Sequence, residues 1–487
     1  MLKTTVQTFN NLINGEWVAS GSNKTFQSVN PADTNDIVAE FQASTEEDAF
    51  HAVRAAEQAF ADWAKLTPSN RANFLNKAAD ILESRVDQYA EELTREEGKI
   101  IGASRMEIMR SAATFRFYAV EALTFTGETF PSDDPTAQIY TVREPLGVIS
   151  VITPWNFPIS IAARKIAPAL MTGNTVVFKP SSDTPLIGLR LVEALVDAGI
   201  PKGVINFVTG SASQVVGPLL TDPAVKAVTF TGSTGAGESI QKAVALTTRT
   251  QMELGGKNPL IVMDDADVDK AVELTIKGGF ELTGQACTGT SRVIVMKSVH
   301  DQYVSKLVEK TKGLKIGNGM DKGVEIGPLA NAKQMKNVLH YVEVGQKEGA
   351  TLVYGGERLS GAEFDNGYYV RPAVFTGVTP KMTIAQEEIF GPVVAVIAVD
   401  SFEEALAIAN DVEYGLSAAI VTNSIATAQK FAAGIHSGTV KINRTTTGNL
   451  INAPFGGLKR SSTSTFRESG RVGLEFFTQT KTVYFGY

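Results

Sequence analysis

Cys287 is the only cysteine in the 487-residue chain, and it follows Gly284-Gln285-Ala286. A thiol is the most nucleophilic side chain near neutral pH, even when the thiolate is the minor form. Most lone cysteines are small buried hydrophobes. Here the run from Gly279 to Thr288 is rich in Gly, Thr and Gln, which predicts a loop instead. An amphipathic helical pattern leads in and the strand-like Arg292-Val293-Ile294-Val295-Met296 leads out, so rigid elements anchor both sides. Upstream, Glu253-Leu254-Gly255-Gly256-Lys257 sets a carboxylate in a glycine-rich turn where backbone can approach a ligand closely. A thiol and a carboxylate suit covalent catalysis with a general base.

Other chemistries find less support. His51, His300, His340 and His436 are scattered without HxxxH or HExxH spacing, and no second cysteine exists, so no metal site and no Ser-His-Asp arrangement is expected. A net charge of −7 and the lack of a basic run argue against nucleic acid as a partner. One cysteine excludes an intrachain disulfide and fits a reducing compartment. The start, Met1-Leu2-Lys3-Thr4-Thr5-Val6-Gln7, lacks the apolar core of a signal peptide, and no apolar run is long enough to span a bilayer. The expectation is a cytoplasmic enzyme with no membrane contact.

The elements that must position these residues follow from pattern. The length calls for two or three domains. Asn14-Gly15 predicts a hairpin turn. Ser44-Thr45-Glu46-Glu47 reads as a capping box opening a helix with Phe50, Val53, Ala56, Phe60 and Trp63 on one face. Helices are predicted near 70–85, 87–97 and 104–125, a layer without evident chemistry. Gln138 to Arg143 alternates like an exposed strand, a candidate arm for another subunit. From Gly147 on, short β-rich runs (147–152, 175–178, 204–208, 227–230) alternate with helical segments, the signature of a parallel sheet covered on both faces. Each run ends in polar or glycine-rich sequence: Thr153-Pro154-Trp155-Asn156, Lys179-Pro180-Ser181-Ser182, Thr209-Gly210-Ser211 and the stretch from Thr231 to Gly237. Ligands of such sheets bind beyond the carboxyl ends of the strands, so a nucleotide site is expected there. The glycine run is not GxGxxG and reads equally well as a tight strand-to-helix turn; Lys179, able to meet a phosphate or a ribose hydroxyl, adds weight to it. A second α/β alternation follows Cys287, with strands expected at 292–299, 351–354, 393–399, 416–421 and 439–442. The apolar tail Lys481 to Tyr487 is strand-like.

Seven motifs in order resemble the NAD(P)-dependent aldehyde dehydrogenase superfamily over nearly the whole chain. They are Thr153-Pro154-Trp155-Asn156-Phe157-Pro158, Lys179-Pro180-Ser181-Ser182, Phe230-Thr231-Gly232-Ser233, Glu253-Leu254-Gly255-Gly256-Lys257, Gly284-Gln285-Ala286-Cys287, Glu388-Ile389-Phe390-Gly391-Pro392 and Pro454-Phe455-Gly456-Gly457. The resemblance implies an α/β fold with a Rossmann-like coenzyme domain (1–126 and 145–254), an α/β catalytic domain (255–443) and a small β oligomerisation arm and tail (127–144 and 444–487). It implies a homodimer or homotetramer. It makes Cys287 the nucleophile, Glu253 the base and Asn156, with the Cys287 N–H, the oxyanion hole. Lys179 and Glu388 would hold ribose hydroxyls, Phe390 the nicotinamide, and Gly232 and Ser233 the pyrophosphate. Thr153, Trp155, Ser181, Ser182, Gly237 and Leu254 join the coenzyme site, and Phe157 the substrate site. On their own, Asn156 reads as a helix cap and Glu388 as a surface carboxylate.

Two departures and one retained charge refine the expectation. NAD-preferring members commonly carry glutamate where Ser182 stands; serine lets a 2′-phosphate be tolerated, so NADP is expected to be used well alongside NAD. The stretch Leu458 to Glu468 is longer and richer in serine than in many members, and resembles the α-ketoglutaric semialdehyde branch. Arg164 lies about two helical turns beyond Asn156 and matches the arginine that grips a distal carboxylate in semialdehyde dehydrogenases. Succinic semialdehyde enzymes place a second arginine six residues before the cysteine, where this chain has Glu281. The expected substrate is therefore 2,5-dioxopentanoate, oxidised to 2-oxoglutarate through a thiohemiacetal and a thioester. Succinate semialdehyde is the alternative. A catalytically silent coenzyme-binding protein is a reading from another class, and a coenzyme-A-acylating enzyme a third, against which the retained Glu253 counts.

Overall fold

The computed structural model describes residues 6–463 and 465–487; Met1–Thr5 and Ser464, named above in the start and in the serine-rich stretch, lie outside the described residues. Two seven-stranded sheets carry the fold. The first runs in the order Arg249–Glu253, Val225–Thr231, Val148–Ile152, Thr175–Lys179, Ile205–Phe207, Asn11–Ile13 and Glu16–Val18. Its first five strands are parallel, and the last two form the antiparallel hairpin around Asn14 and Gly15, both at positive φ. Strand order reverses between Val148–Ile152 and Val225–Thr231, which opens a crevice at the carboxyl edge.

The inner strands are largely apolar because both faces are buried. Ile149, Val151, Val176 and Phe178 join the core under Pro68–Ser84, Ile101–Glu121, Pro158–Met171 and Pro185–Asp197. The alternate residues Val148, Ile152, Val177 and Val228 join a second core under Glu46–Lys65 and Ala212–Thr221. The other large sheet runs Thr351–Tyr354, Ala373–Thr376, Val393–Val399, Thr290–Met296, Asn258–Val262, Ser417–Val421 and Thr439–Ile442, with only its first strand antiparallel.

Register aligns the first sheet's edge. Ile152 pairs with Lys179 and with Phe230, and Thr231 pairs with Glu253, so four strand ends stand in one row. Residues 254–257 then carry the chain from that carboxyl edge to Asn258, which pairs with Thr290 at the amino edge of the second sheet. The cleft lies where the two edges meet.

Several local expectations shift. The capping box is formed by Thr45 and Asp48; the Ser44 hydroxyl turns to Asn11 instead. Phe50 is exposed and lies under the Arg54 guanidinium, while Ala49, Ala52, Val53, Ala56 and Trp63 face inward. Three strands of the two large sheets went unpredicted: Arg249–Glu253, Asn258–Val262 and Ala373–Thr376. So did the small sheet of Thr8–Phe9, Ile37–Gln42 and Thr25–Val29. The arm strand extends over Ala137–Pro145 and pairs antiparallel with the tail strand Thr478–Gly486 of the same chain. Among the described residues, no helix is long and apolar enough to cross a membrane.

Arg292 ties the second sheet to the turn ahead of it. Its fully buried guanidinium donates to the Lys257 carbonyl at 3.1 Å and to Ile408 and Ala409 carbonyls at 3.1 and 3.0 Å, closing the end of helix Phe402–Asn410. Arg292→Met leaves these carbonyls unsatisfied and is expected to destabilise the protein by about 3 kcal/mol, read as an earlier unfolding transition in a denaturant titration.

Candidate active site

Cys287 sits between the turn Glu281–Gly284 and strand Thr290–Met296. Leu282, Thr283 and Gly284 all have positive φ, a strained path for a leucine and a β-branched threonine. Surrounding bonds hold it. The Thr283 hydroxyl donates to Gly327 O at 3.0 Å, and Gln285 Oε1 accepts from Ala330 N at 2.9 Å. Asn258 Nδ2 donates to Cys287 O at 2.8 Å and to Gly289 O at 2.9 Å. No sequence signal marked Asn258 as the clamp on the nucleophile's loop.

The turn after Glu253 packs directly against this loop. A Cβ on Gly255 would strike the Glu388 carboxylate, and one on Gly256 would strike the Cys287 carbonyl, so only glycine fits there. Glu388 Oε1 accepts from Gly256 N at 3.0 Å. Glu253 is buried, and neither carboxyl oxygen has a hydrogen-bond partner. Gly456 stands against it: a Cβ there would lie 2.8 Å from Glu253 Oε1.

Asn156 does not cap the helix that follows it. Phe157 is the N-cap of Pro158–Met171, and Glu107 Oε1 takes the helix N–H groups of Ile159 and Ser160, each at 3.2 Å. Glu107 is paired with Lys99 at 2.7 Å, and Lys99 Nζ also donates to the Asn156 carbonyl at 2.6 Å. This leaves the Asn156 side chain to donate to Gln285 O at 2.9 Å, beside the cysteine. Phe157 is half-buried with Lys99 Nζ 4.7 Å over its ring. Lys99 and Glu107 come from the helical layer that sequence patterning left without chemistry, and no motif announces them.

Arg164 is half-buried, 3.5 Å from Glu468 Oε2 and 5.1 Å over the Phe455 ring. Lys165 is fully buried, paired with Glu468 Oε1 and 2.9 Å from the Thr229 hydroxyl. Phe455, Gly456 and Glu468 therefore stand at the cleft, and the tail strand begins only at Thr478.

The residues assigned to a coenzyme gather at the first sheet's carboxyl edge. Lys179 Nζ donates to Pro180 O at 2.9 Å, and Ser182 Oγ to Gly210 O at 3.0 Å. Ser181 Oγ meets Asp183 at 3.3 Å. Thr153 Oγ1 is buried without a partner. Ser233 caps helix Thr234–Ala243, Gly232 N donates to Glu253 O at 3.1 Å, and Gly237 packs tightly on Leu254. Trp155 and Phe390, far apart in sequence, meet edge to face at 5.4 Å.

Burial governs the electrostatics. Desolvation pushes the Cys287 thiol up to about 12, with the Glu388 and Glu253 charges adding and Arg164 opposing. Desolvation also raises Glu253 well above the carboxylate range, with Glu468 adding and Lys165 opposing. Glu388 is raised to about 7 and Lys179 lowered to about 8, both by burial. Among the described residues, no group of three or more His, Cys, Asp or Glu is placed to hold a metal ion.

The thiol of the ligand-free enzyme is thus reachable but protonated at neutral pH. Its alkylation by iodoacetamide, which the single cysteine makes unambiguous by mass, is expected to accelerate about tenfold per pH unit from 7 to 10. A plateau below pH 9 would mean an ordinary or activated thiol.

Comparison with known proteins agrees with this geometry. The sequence profile of the aldehyde dehydrogenase family matches residues 17–483. An α-ketoglutaric semialdehyde dehydrogenase of Bacillus subtilis (strain 168) is 48% identical over 482 residues, covering 99% of each chain. An α-ketoglutarate semialdehyde dehydrogenase of Haloferax volcanii is 44% identical, covering 98% of this chain and 99% of its own. Among solved structures, betaine aldehyde dehydrogenase of Staphylococcus aureus in complex with NAD+ superposes with a TM-score of 0.95 at 36% identity, covering 98% of this chain and 94% of that one. The paired sheets with a Rossmann-like half, and the thiol set between them, are those of this family's fold, and the chain belongs to the aldehyde dehydrogenase family.

Proposed function

We propose that the protein oxidises 2,5-dioxopentanoate, α-ketoglutaric semialdehyde, to 2-oxoglutarate with NAD(P). The observation that carries this reading is a cation in the thiol's own cleft: Arg164 lies within electrostatic reach of Cys287, on the helix that begins beside Asn156. An aldehyde bearing a carboxylate at its far end can present carbon to the thiol and charge to the guanidinium. The activities named for the Bacillus and Haloferax relatives support it.

The carboxyl edge suits a dinucleotide. Lys179 has three donors and gives one to Pro180, Thr153 holds a buried hydroxyl without a partner, and the Ser233-capped helix presents its N-terminus. Lys179 and Glu388 would hold ribose hydroxyls, Gly232 and Ser233 the pyrophosphate, Trp155 and Phe390 the nicotinamide end, and Ser181 and Ser182 the adenosine ribose. Gly237 and Leu254 fix the helix against the strand. The coenzyme, when bound, accepts the hydride.

The chain's own residues do the rest. Cys287 Sγ releases its proton to solvent and attacks the aldehyde carbon as the thiolate. Asn156 Nδ2 commits one hydrogen to Gln285 and offers the other, with the Cys287 N–H, to the developing oxyanion. Loss of hydride leaves a thioester on Cys287. Glu253, whose oxygens carry no other bond, takes a proton from water, and the hydroxide releases the acid. In this scheme residues 1–126 and 145–254 serve the coenzyme, 255–443 catalysis, and 127–144 with 444–487 subunit contact. The arm and tail strands, with Phe130, Tyr484, Phe485 and Tyr487 exposed, support a homodimer or homotetramer. A nucleophile needed as a free thiol suits the cytoplasm.

The decisive experiment is steady-state kinetics across ω-carboxylated aldehydes of increasing length and their unsubstituted alkyl counterparts. The 2,5-dioxopentanoate kcat/KM is expected to exceed that of the matched alkyl aldehyde by about tenfold or more. An equal or higher value for the alkyl aldehyde overturns the reading. For the coenzyme, Ser182→Glu sets a carboxylate against a 2′-phosphate, and KM for NADP is expected to rise by about tenfold or more while KM for NAD changes little.

A further inference from the structure

Helices Ile101–Glu121 and Pro158–Met171 pack side by side, and an arginine on each turns toward residues 443–457. Arg164 lies over Phe455 in that stretch, and Arg110 donates to the Asn449 carbonyl. Arg110 is half-buried, and among the described residues no carboxylate forms an ion pair with it. Its electrostatic neighbours are Arg164, which repels it, and Glu107, which is already held by Lys99.

The charges around it do not balance. Lys441 also stands within reach of Arg110, its ammonium donating to Thr446 O at 3.1 Å and Gly448 O at 3.0 Å. The carboxylates beside the two arginines are already engaged, Glu107 with Lys99 and Glu468 with Lys165. A guanidinium does not shed its proton to relieve such a clash. Two like charges partly out of water are costly, and an anion between them removes that cost.

We propose that Arg110 is a second arginine of the substrate site, which with Arg164 grips the oxygens at the far end of the aldehyde. The inference rests on the ω-carboxylated-aldehyde reading and deepens it. Arg164 lies over Phe455 and Arg110 holds the Asn449 carbonyl, so from neighbouring helices the two guanidinium groups reach one stretch of chain, with Arg164 also within electrostatic reach of Cys287. An α-oxo carboxylate presents three oxygens in or near one plane, which two guanidinium forks can meet and one cannot.

Because Arg110 also holds the Asn449 carbonyl, a purely structural role must be told apart. The test measures kcat and KM for 2,5-dioxopentanoate and for a matched alkyl aldehyde in the wild type, Arg110→Met and Arg110→Lys. The proposal expects the ratio of the two kcat/KM values to fall by about tenfold or more in Arg110→Met, through KM of the carboxylated substrate, with partial recovery in Arg110→Lys. Equal losses on both aldehydes, or none on the carboxylated one, overturn it. Should Arg110→Met not fold, competitive inhibition by glutarate compares Arg110→Lys with the wild type: a Ki raised by about threefold or more supports the proposal, and an unchanged Ki overturns it. A wild type indifferent to the carboxylate defeats the underlying reading, whereas a discriminating wild type beside an indifferent Arg110→Met defeats only the role of Arg110.

Discussion

Exclusion of water from one cleft sets the charge state of almost every group in it. Burial raises the acids Cys287, Glu253 and Glu388 and lowers the bases Lys179 and Lys257, so all five move toward their neutral forms. A thiol near 12 stays protonated at neutral pH, and the Glu253 carboxyl beside it is shifted toward its neutral form. Lys257, fully buried with an unpartnered Nζ, tolerates that position because burial lowers it to about 7. Burial lowers Arg110 only to about 10, so this guanidinium, with Arg164 as its neighbour, stays a cation while the surroundings neutralise. The contrast makes them the fixed positive field of the site.

That field is trimmed by a segment from the far end of the chain. Glu468 stands between Lys165 and Arg164 and raises Glu253 through its charge. Ser461 and Ser462 lie at the end of the edge strand Arg249–Glu253: Leu254 N donates to Ser461 O at 2.9 Å, and Glu253 bridges to Ser462. Ser461 is fully buried, and its hydroxyl accepts from Gly415 N at 3.0 Å. Ser461 and Ser462 thus extend the first sheet's edge at the residue that carries the carboxyl. The same segment continues into Thr478–Gly486, so one piece of chain links the cleft to the arm.

How much of this was legible in sequence depends on what kind of signal each element leaves. Strands buried on both faces are largely apolar, and Val148–Ile152, Thr175–Lys179 and Val393–Val399 are visible for that reason. Arg249–Glu253 is an edge strand of Arg, Thr, Gln, Met and Glu, too polar to register. Asn258–Val262 contains Pro259, which argues against a strand interior. The capping box slipped by one residue because Ser44 and Thr45 are equally good caps, and only the tertiary bond from Ser44 to Asn11 separates them. Cys287, Glu253, Asn156, Lys179 and Glu388 stand in recognisable local sequences. Lys99, Glu107 and Asn258 do not, since each matters through a partner distant in the chain, and no periodicity encodes that.

Lys99 and Glu107 also show why a costly buried pair persists. A helix N-terminus needs an acceptor, and an asparagine just ahead of it is the ordinary supplier. Had Asn156 filled that need, its amide would be spoken for. Glu107 reaches across from the neighbouring helix to take the Ile159 and Ser160 N–H groups, and Lys99 neutralises it while drawing the Asn156 carbonyl to the other side. The amide is then left facing the nucleophile's loop, with one hydrogen on Gln285 and the second available. An apolar pair in place of Lys99 and Glu107 would pack as well and cost less, but the helix would reclaim Asn156 as its cap. On the proposed mechanism, the ion pair is the price of an oxyanion donor.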